Sequence, residues 1–255
     1  MIDKLPIALV IFSCTVEKLG RRDYYQIAIN NLAQNIDLDL FPYKLLSVKF
    51  RPNEKDIAES YKVWGENKGF EVLLHEGNWT DEKSKRNEYI RDYIKVYHND
   101  KLNQFPFVYE QEDDVRVFIK KNNLEYYLNK SAQILVENKD ILTCRFTDRK
   151  DEHQRINRLN AKYGWTHKKS VKFNDDYTAD NDHITYRNYI CRTRDMFIAT
   201  RILYHNFDRL DLSPETSVTN AMLQLTDGET PFICWNPENI YHRHMSDEEH
   251  PYEIT

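Results

Sequence analysis

The sequence predicts an α/β fold in which a central, mostly parallel sheet is flanked by helices within a single domain. Two observations lead to this prediction. Apolar segments of strand length alternate with amphipathic segments of helical spacing, which is the order of a parallel sheet joined by right-handed crossovers. The first segment, "LPIALVIFSC", is a continuous apolar run, typical of a strand that is buried on both faces. A length of 255 residues is sufficient for one large domain with a sizeable core.

Four strands and three helices are predicted up to residue 114. Tyr25, Ile29 and Leu32 recur at helical spacing after the first strand, and Gly69 ends the second helix. A repeat of tyrosines, Tyr89 among them, forms one aromatic face of the third helix. The predicted strands span 5–14, 43–50, 70–77 and 105–114, and the predicted helices span 21–35, 54–69 and 82–100.

The second half is less regular. A helix is predicted over 115–138, another over 151–164, and a strand followed by a helix within 183–203. The helix predicted over 213–225 opens with Ser213 as its N-cap and a proline in its first position. Beyond the short apolar strand "FICW", the tail to residue 255 is predicted to be irregular, and its aromatic residues indicate that it packs on the domain.

Composition limits the class of protein. Charged residues make up 30% and hydrophobic residues 40%, as in ordinary globular proteins. The net charge of −5, from 36 basic and 41 acidic residues, lacks the basic excess of non-specific nucleic-acid binders. Four dispersed cysteines without a CxxC pair predict reduced thiols in the core rather than disulfides or a zinc site. These are Cys14, Cys144, Cys191 and Cys234.

The apolar N-terminal run could be mistaken for the core of a signal peptide. Asp3 stands where such a peptide would be basic, and no small-residue cleavage site follows, so a buried strand is the better interpretation. No other run approaches the roughly 20 apolar residues of a membrane span. We therefore expect a cytoplasmic protein, or one in the host cytoplasm if it is viral, that does not engage a membrane.

Three consecutive acids, Glu112, Asp113 and Asp114, end the fourth predicted strand. Adjacent carboxylates repel one another, so they are either a solvated turn or a cation site. Ligands bind at the carboxyl ends of strands in α/β sheets, and carboxylates suit Mg²⁺ or Mn²⁺. The position after four strands favours the cation site.

In this position the triplet resembles the DxD motif of GT-A-fold glycosyltransferases, which depend on a nucleotide sugar and a metal ion. The resemblance implies a Rossmann-like GT-A fold and a Mn²⁺ or Mg²⁺ cofactor. It implies that Asp114 holds the cation that bridges the donor diphosphate, and that Glu112 contacts the donor or shares the cation. Asp113 would belong to the donor site.

The same resemblance extends to residues after the other strands. Ser13 and Thr15 end the first strand, where the nucleotide is met, and basic residues follow the first and third strands. A later strand and its exit border the donor sugar. The plain alternative for each basic residue is a solvated charge on a helix. The basic candidates for donor binding are Arg21, Arg22, Lys85, Arg86, Arg192 and Arg194.

Two acids are candidates for catalysis by the same resemblance. Glu215, near the start of the helix over 213–225, would be the general base that deprotonates the acceptor in an inverting enzyme, and Asp195 would border the acceptor. An acid in a first helical turn also stabilises the helix dipole, which is a purely structural alternative for Glu215.

The histidine-rich tail bears on the metal. Metal-dependent members of the family commonly take a further ligand from a histidine near the C-terminus. His242, His244 and His250 are available, and His242, directly after Tyr241, is favoured over His244. A solvated tail is the alternative.

Together these features predict a hexosyl- or pentosyltransferase, with residues 1–115 as the half that binds the nucleotide sugar and 116–255 as the acceptor half with the metal-binding tail. A UDP-sugar donor is favoured and a GDP-sugar is possible. The acceptor is a glycan, a protein or a hydroxylated DNA base, as in phage-type DNA glycosyltransferases. The alternatives are a metal-dependent phosphoesterase or nuclease and a non-catalytic nucleotide-binding protein.

Overall fold

The computed structural model describes most of the first half of the chain and parts of the second. The described residues are 5–15, 24–78, 82–148, 171–172, 177–180, 188–206, 214–226, 232–235 and 239–245. The helix predicted over 151–164 lies outside them.

Strands and helices alternate along the chain as the sequence predicts. The described strands are β1 (Ile7–Cys14), β2 (Lys44–Phe50), β3 (Glu71–Glu76), β4 (Phe107–Glu112), β5 (Val115–Ile119), β6 (Thr143–Arg145), β7 (Thr147–Asp148), β8 (Val171–Lys172), β9 (Tyr177–Asp180), β10 (Tyr189–Arg192), β11 (Phe232–Trp235) and β12 (Ile240–His244). The described α-helices are α1 (Tyr24–Asn35), α2 (Lys55–Asn67), α3 (Glu82–Tyr97), α4 (Leu124–Glu137), α5 (Thr193–His205) and α6 (Pro214–Leu223).

The main sheet has the strand order β3-β2-β1-β4-β10-β6-β11-β9-β8. The first four of these strands are mutually parallel, β10 is antiparallel to both of its neighbours, and β11 is parallel to β6. Strands β1 to β4 therefore end at one edge of the sheet. We call this the acidic edge, because Glu112 ends β4 there and the turn that follows carries Asp113 and Asp114.

Helices cover both faces of the main sheet. Leu9 and Ile11 of β1 pack in a cluster with residues of α1, α2 and α4, whereas Ala8 and Val10 pack in a second cluster with α3, α5 and α6. All four side chains are fully buried. The continuous apolar run of β1 is thus explained, because a strand at the centre of a doubly covered sheet buries both of its faces.

The helix predicted over 115–138 is wrong in its first third. Residues from Val115 form the strand β5, and the helix α4 begins only at Leu124. Asn122 adopts a positive φ of 59°, and the side chain of Asn123 caps α4 by accepting a hydrogen bond from the Tyr126 amide at 2.8 Å. The β-branched and aromatic residues of "VRVFI" suit a strand once a pairing partner is available.

The irregular tail predicted after residue 235 is also wrong where it is described. Strand β12 pairs antiparallel with β5 and parallel with β7, forming a second, three-stranded sheet. Phe118 and Tyr241 stack with ring centroids 5.3 Å apart across this pair. The tail is ordered by pairing with β5, a segment more than a hundred residues earlier, and local sequence does not reveal such a partner.

Three of the four cysteines confirm the prediction of core thiols. Cys14, Cys144 and Cys191 are free and buried, while the side chain of Cys234 lies outside the described residues. Within the described part of the chain, no helix combines the length and apolar character needed to cross a membrane.

Candidate functional site

The acid triplet lies where the strand order of the main sheet reverses. The chain order runs outward from β1 through β2 to β3 on one side, and β4 pairs with β1 on the other. Ligands of α/β sheets bind in the crevice at such a switch point. Glu112 is half-buried, and Asp113 and Asp114 are 6% and 4% exposed. Buried carboxylates at this position contradict the alternative of a solvated turn.

Asp113 joins the ends of β4 and β1. Its Oδ2 accepts a hydrogen bond from Ser13 Oγ at 2.7 Å and from the Cys14 amide at 3.3 Å, and its own amide donates to the Phe12 carbonyl at 3.0 Å. Asp113 and Ser13, both predicted to contact the donor, thus contact each other. The middle acid of the triplet holds together the two strands that border the switch point.

Strand β12 brings the histidine-containing tail beside the acid turn. The amide of Met245 donates to the carbonyl of Asp114 at 2.6 Å, His244 lies opposite Val115, and His242 lies opposite Val117. In this register His244 is nearer to Asp114 along the strand than His242 is, the reverse of the order expected from sequence. His242 is 1% exposed, and the side chain of His244 is outside the described residues.

The donor set of this turn suits a hard cation. The carboxylates of Glu112 and Asp114 are oxygen ligands of the kind that Mg²⁺ and Mn²⁺ prefer, and histidine is an acceptable further ligand for Mn²⁺. Among the residues whose side chains the structure describes, no three His, Cys, Asp or Glu are arranged to hold a metal ion. A complete ligand set would therefore have to include a group beyond those side chains, and His244 qualifies by its position.

Thr15 follows β1 and is bound to an acid that the sequence did not single out. Its Oγ1 donates to Glu54 Oε2 at 2.8 Å, and the same oxygen accepts the Arg51 amide at 3.0 Å. Glu54 is buried, at 4% exposure, in the one-turn helix that follows β2. The "RPNE" turn directly after a predicted strand was the available signal for a buried acid at this edge.

A second polar group missed by the sequence analysis lies between β2, β3 and α3. Asp92 of α3 accepts a hydrogen bond from Ser47 Oγ at 2.6 Å, and His75 Nε2 lies 2.8 Å from the same oxygen. Lys49 Nζ lies 2.8 Å from the centroid of the Tyr89 ring. The available signal was the polar pair Ser47 and Lys49, two residues apart in a strand whose other residues after Lys44 are all apolar.

Burial sets the proton affinities of this group. Burial lowers the pKa of Lys49 to about 8, although the charges of Asp92 and other nearby acids act in the opposite direction. Burial alone would raise the pKa of Asp92. The hydrogen bond and charge of His75, with the charge of Lys49 and the Ser47 hydrogen bond, bring it below its usual value. Asp92 is therefore an ionised carboxylate beneath the sheet edge.

Glu110 lies two residues before Glu112, at the centre of the sheet. Its carboxylate accepts hydrogen bonds from the hydroxyls of Tyr93 and Tyr97 on α3 and from that of Tyr189 on β10, the last at 2.6 Å. Burial raises the pKa of Glu110 to about 7 despite these three donors, and the charge of Asp92 adds to the increase. The cluster fixes α3 and β10 against β4 below the acidic edge.

The basic candidates after β1 and β3 can be placed only in part. Helix α3 begins at Glu82, shortly after β3 ends, so the backbone of Lys85 and Arg86 lies in its first turns at the acidic edge. Their side chains, and the whole of Arg21 and Arg22, lie outside the described residues.

Glu215 belongs to the first turn of α6, and the direction of α6 locates that turn. Thr226, just after α6, contacts Asp140 through its hydroxyl at 3.4 Å, and Asp140 shortly precedes β6. Because β6 runs parallel to β4, α6 ends at the edge opposite the acids and its first turn points toward the acidic edge. The side chain of Glu215 is outside the described residues.

Arg192, Arg194 and Asp195 lie at the opposite edge of the sheet. Antiparallel β10 sets Arg192 against Phe107, the first residue of β4, at the other end of that strand from Glu112. The Arg192 guanidinium donates hydrogen bonds to backbone carbonyls in the last turn of α4 and just after it, including that of Leu135 at 2.6 Å. It also pairs with the Asp195 carboxylate at 2.6 Å. Arg194 is exposed. The expected donor and catalytic roles of these residues do not fit this placement; Arg192 and Asp195 stabilise the end of α4.

Comparisons with known proteins relate this chain to others by structure. No family model matches it, and no curated protein matches it in sequence. Core-mannan synthase A from Aspergillus fumigatus, solved in a manganese and GDP form, is similar over 95% of this chain and 75% of that chain, with a TM-score of 0.52 and 9% identity. The 4-diphosphocytidyl-2C-methyl-D-erythritol synthase from Anaerococcus prevotii is similar over 91% of this chain and 90% of that chain, with a TM-score of 0.45 and 15% identity.

A glycosyltransferase involved in glycosylation of the major capsid of PBCV-1 is similar over 97% of this chain and all of that chain, with a TM-score of 0.42 and 10% identity. Identities this low bear on the fold alone. The chain has the single-domain α/β fold of GT-A type that the sequence predicts, with a mostly parallel sheet flanked by helices.

Proposed function

We propose that this chain is a glycosyltransferase that moves a sugar from a nucleotide-diphosphate sugar to an acceptor hydroxyl with the aid of Mn²⁺ or Mg²⁺. The observation that carries the proposal is the buried acid turn at the switch point between β1 and β4, beside which β12 brings two histidines. The fold supports it, because core-mannan synthase A, solved with manganese and GDP, shares this architecture.

The carboxylates of Asp114 and Glu112 would hold the cation, with His244 or His242 as a further ligand. The carboxylate of Asp113 is already engaged by Ser13 and Cys14, which supports a positioning role for it rather than metal ligation. A divalent cation would neutralise the charge that develops on the departing diphosphate and orient the donor. The chain itself keeps the acids at one position by tying the turn to β1 and β12.

The remaining roles follow from position at the acidic edge. Lys85 and Arg86, at the start of α3, would meet the diphosphate, and Arg21 and Arg22 after β1 are further donor candidates. Glu215, in the first turn of α6, would be the general base for the acceptor hydroxyl. The nucleotide is uridine or guanosine diphosphate. The acceptor is a glycan, a protein or a hydroxylated DNA base.

Calorimetric titration of UDP and GDP, with Mn²⁺, with Mg²⁺ and with a chelator, tests the proposal. We expect binding that depends on the cation, together with slow hydrolysis of the matching nucleotide sugar. Asp114→Asn should abolish the cation dependence. Asp195→Asn, the same chemical change at the opposite edge, should retain it. Absence of cation-dependent nucleotide binding, combined with turnover of a phosphodiester, would instead establish the phosphoesterase or nuclease alternative.

A further inference from the structure

Lys49 is a buried ammonium group with unused hydrogen-bonding capacity at the acidic edge. The residue is 2% exposed, and its Nζ lies over the ring of Tyr89. No hydrogen bond or ion pair joins it to any residue in the described part of the chain. An ammonium has three N–H donors, so Lys49 can donate to an acceptor that a ligand supplies.

The polar residues that the structure describes around Lys49 form hydrogen bonds with one another and not with its ammonium. The Asp92 carboxylate is occupied by Ser47 and His75, at 2.6 Å and 2.8 Å. In the register of the sheet Lys49 lies between Cys14 of β1 and His75 of β3, near the carboxyl ends of all three strands. The ammonium is therefore part of the same edge as the acid turn but does not serve as the partner of a described acid.

Charge decides the class of ligand. Asp92, Glu88 and Asp113 all act on Lys49 electrostatically, as does the Cys14 thiol, and His75 adjoins it from β3. A phosphate beside Lys49 would face those three carboxylates and be repelled, whereas a neutral carbonyl oxygen would accept a hydrogen bond without that repulsion. Position agrees with this choice. Neighbouring strands are about 4.8 Å apart, so β2 lies roughly 10 Å from β4, a span that a ribose and base can cover.

We propose that Lys49 recognises the donor nucleotide by donating a hydrogen bond to the keto oxygen at position 4 of a pyrimidine or position 6 of a purine, thereby selecting uracil or guanine over cytosine or adenine. This inference rests on the proposed function, because it assumes that the diphosphate binds at the acid turn. The preference arises because an amino group in place of the keto oxygen is itself a hydrogen-bond donor and cannot accept from the Lys49 ammonium. It would leave the ammonium without an acceptor.

Two pairs of nucleotides that exchange a keto group for an amino group, with the accompanying change of proton on the adjacent ring nitrogen, test the proposal. UDP and CDP differ at position 4 of the pyrimidine, and IDP and ADP differ at position 6 of the purine. With Mn²⁺ present, we expect the keto member of at least one pair to bind about tenfold or more tightly, as one charge-assisted hydrogen bond requires. In Lys49→Met that ratio should fall close to one, mainly through weaker binding of the keto nucleotide.

Lys44→Met is the matched control. Lys44 belongs to the same strand but lies at its other end, where it pairs with Asp39 at 3.0 Å, so the keto preference should persist. Cooperative thermal unfolding of each variant checks that it is folded. Equal binding within both pairs by the wild type, or an unchanged preference in folded Lys49→Met, overturns the proposal for Lys49 alone. Binding of none of the four diphosphates overturns the proposed function, and this inference with it.

Discussion

At the scale of single residues, the three consecutive acids have different tasks. Asp113 connects the end of β4 to β1, because its carboxylate accepts hydrogen bonds from the Ser13 hydroxyl and the Cys14 amide. Asp114 is fixed through its main chain by Met245, and its carboxylate is the proposed cation ligand. A triplet that looks uniform in sequence therefore contains one acid with a structural role, Asp113, beside the two acids that we propose as cation ligands.

Asp113→Ala should destabilise the protein. The change leaves the Ser13 hydroxyl and the Cys14 amide without their buried acceptor, which costs about 1–3 kcal/mol. Ser13→Ala, which removes only the donor of one of these bonds, should cost less. Chemical denaturation of both variants measures the difference. Asp140→Ala, an exposed acid near the start of β6, should change stability by no more than about 0.5 kcal/mol. Equal stability of Asp113→Ala and the wild type would show that these hydrogen bonds of Asp113 do not stabilise the fold.

Asp114→Asn should lower the rate of sugar transfer or donor hydrolysis by roughly 10²–10³, by analogy with loss of a single transition-state donor. The fold should persist. Without metal the variant should be at least as stable as the wild type, because repulsion among Glu112, Asp113 and Asp114 is reduced. Steady-state kinetics and unfolding curves with and without Mn²⁺ measure the two effects. A variant that loses activity only because it is unfolded would contradict this division of roles.

At the scale of elements, strand β12 brings the C-terminal tail to the acid turn. Its pairing with β5 sets His244 opposite Val115, next to the acid turn, and His242 two residues further along. The metal-binding role that we propose for the tail depends on this register, because a slip of one residue would change which residues lie next to the acid turn.

Replacing each histidine in turn distinguishes a metal ligand from a residue that only packs in the core. His244→Ala should weaken Mn²⁺ affinity by at least roughly tenfold, with activity restored by excess Mn²⁺, since even groups that support metal ligands contribute on that scale. His242→Ala should have the smaller effect on affinity and the larger one on stability, because His242 is 1% exposed. Mn²⁺ titration and thermal unfolding of both variants distinguish the roles. A larger loss of Mn²⁺ affinity in His242→Ala would reverse the assignment.

At the scale of the whole molecule, two buried ionisable groups shape the dependence of stability on pH. The pKa of Glu110 is raised to about 7, so the folded state holds this proton more tightly than the unfolded state and loses stability as pH rises toward 7. The pKa of Lys49 is lowered to about 8, so its charge opposes folding below that pH, and stability returns as pH rises from 8 toward 10.5.

Glu110→Gln should therefore remove part of the decline in unfolding free energy between about pH 4.5 and 7, and Lys49→Met part of the recovery above pH 8. Each contribution amounts to a few kcal/mol at most, since one pKa unit corresponds to about 1.4 kcal/mol. Urea denaturation across this pH range, read as the difference from the wild type, isolates each group from the other titrating residues. A difference that does not vary with pH would contradict the assignment.

The sequence by itself determined the alternating strands and helices of the first half, the doubly buried β1 and the position of the acid turn. These features are local, because the hydrophobic periodicity and the turn residues that predict them lie within a single element. It also predicted the strand-to-helix passage from β10 into α5. The extent of α4 was overestimated, because the apolar residues of β5 carry no local mark that distinguishes a short strand from a helical turn.

Tertiary structure alone decided which residues meet. Antiparallel pairing of β10 moved Arg192 and Asp195 to the edge away from the acids. Pairing with β5 turned the tail into a strand beside Asp114, and packing of α3 on β2 and β3 gathered Lys49, His75 and Asp92. The physical reason is shared. Register and strand direction are fixed by contacts between segments far apart in sequence, whose energies depend on the whole sheet and leave no pattern in either segment alone.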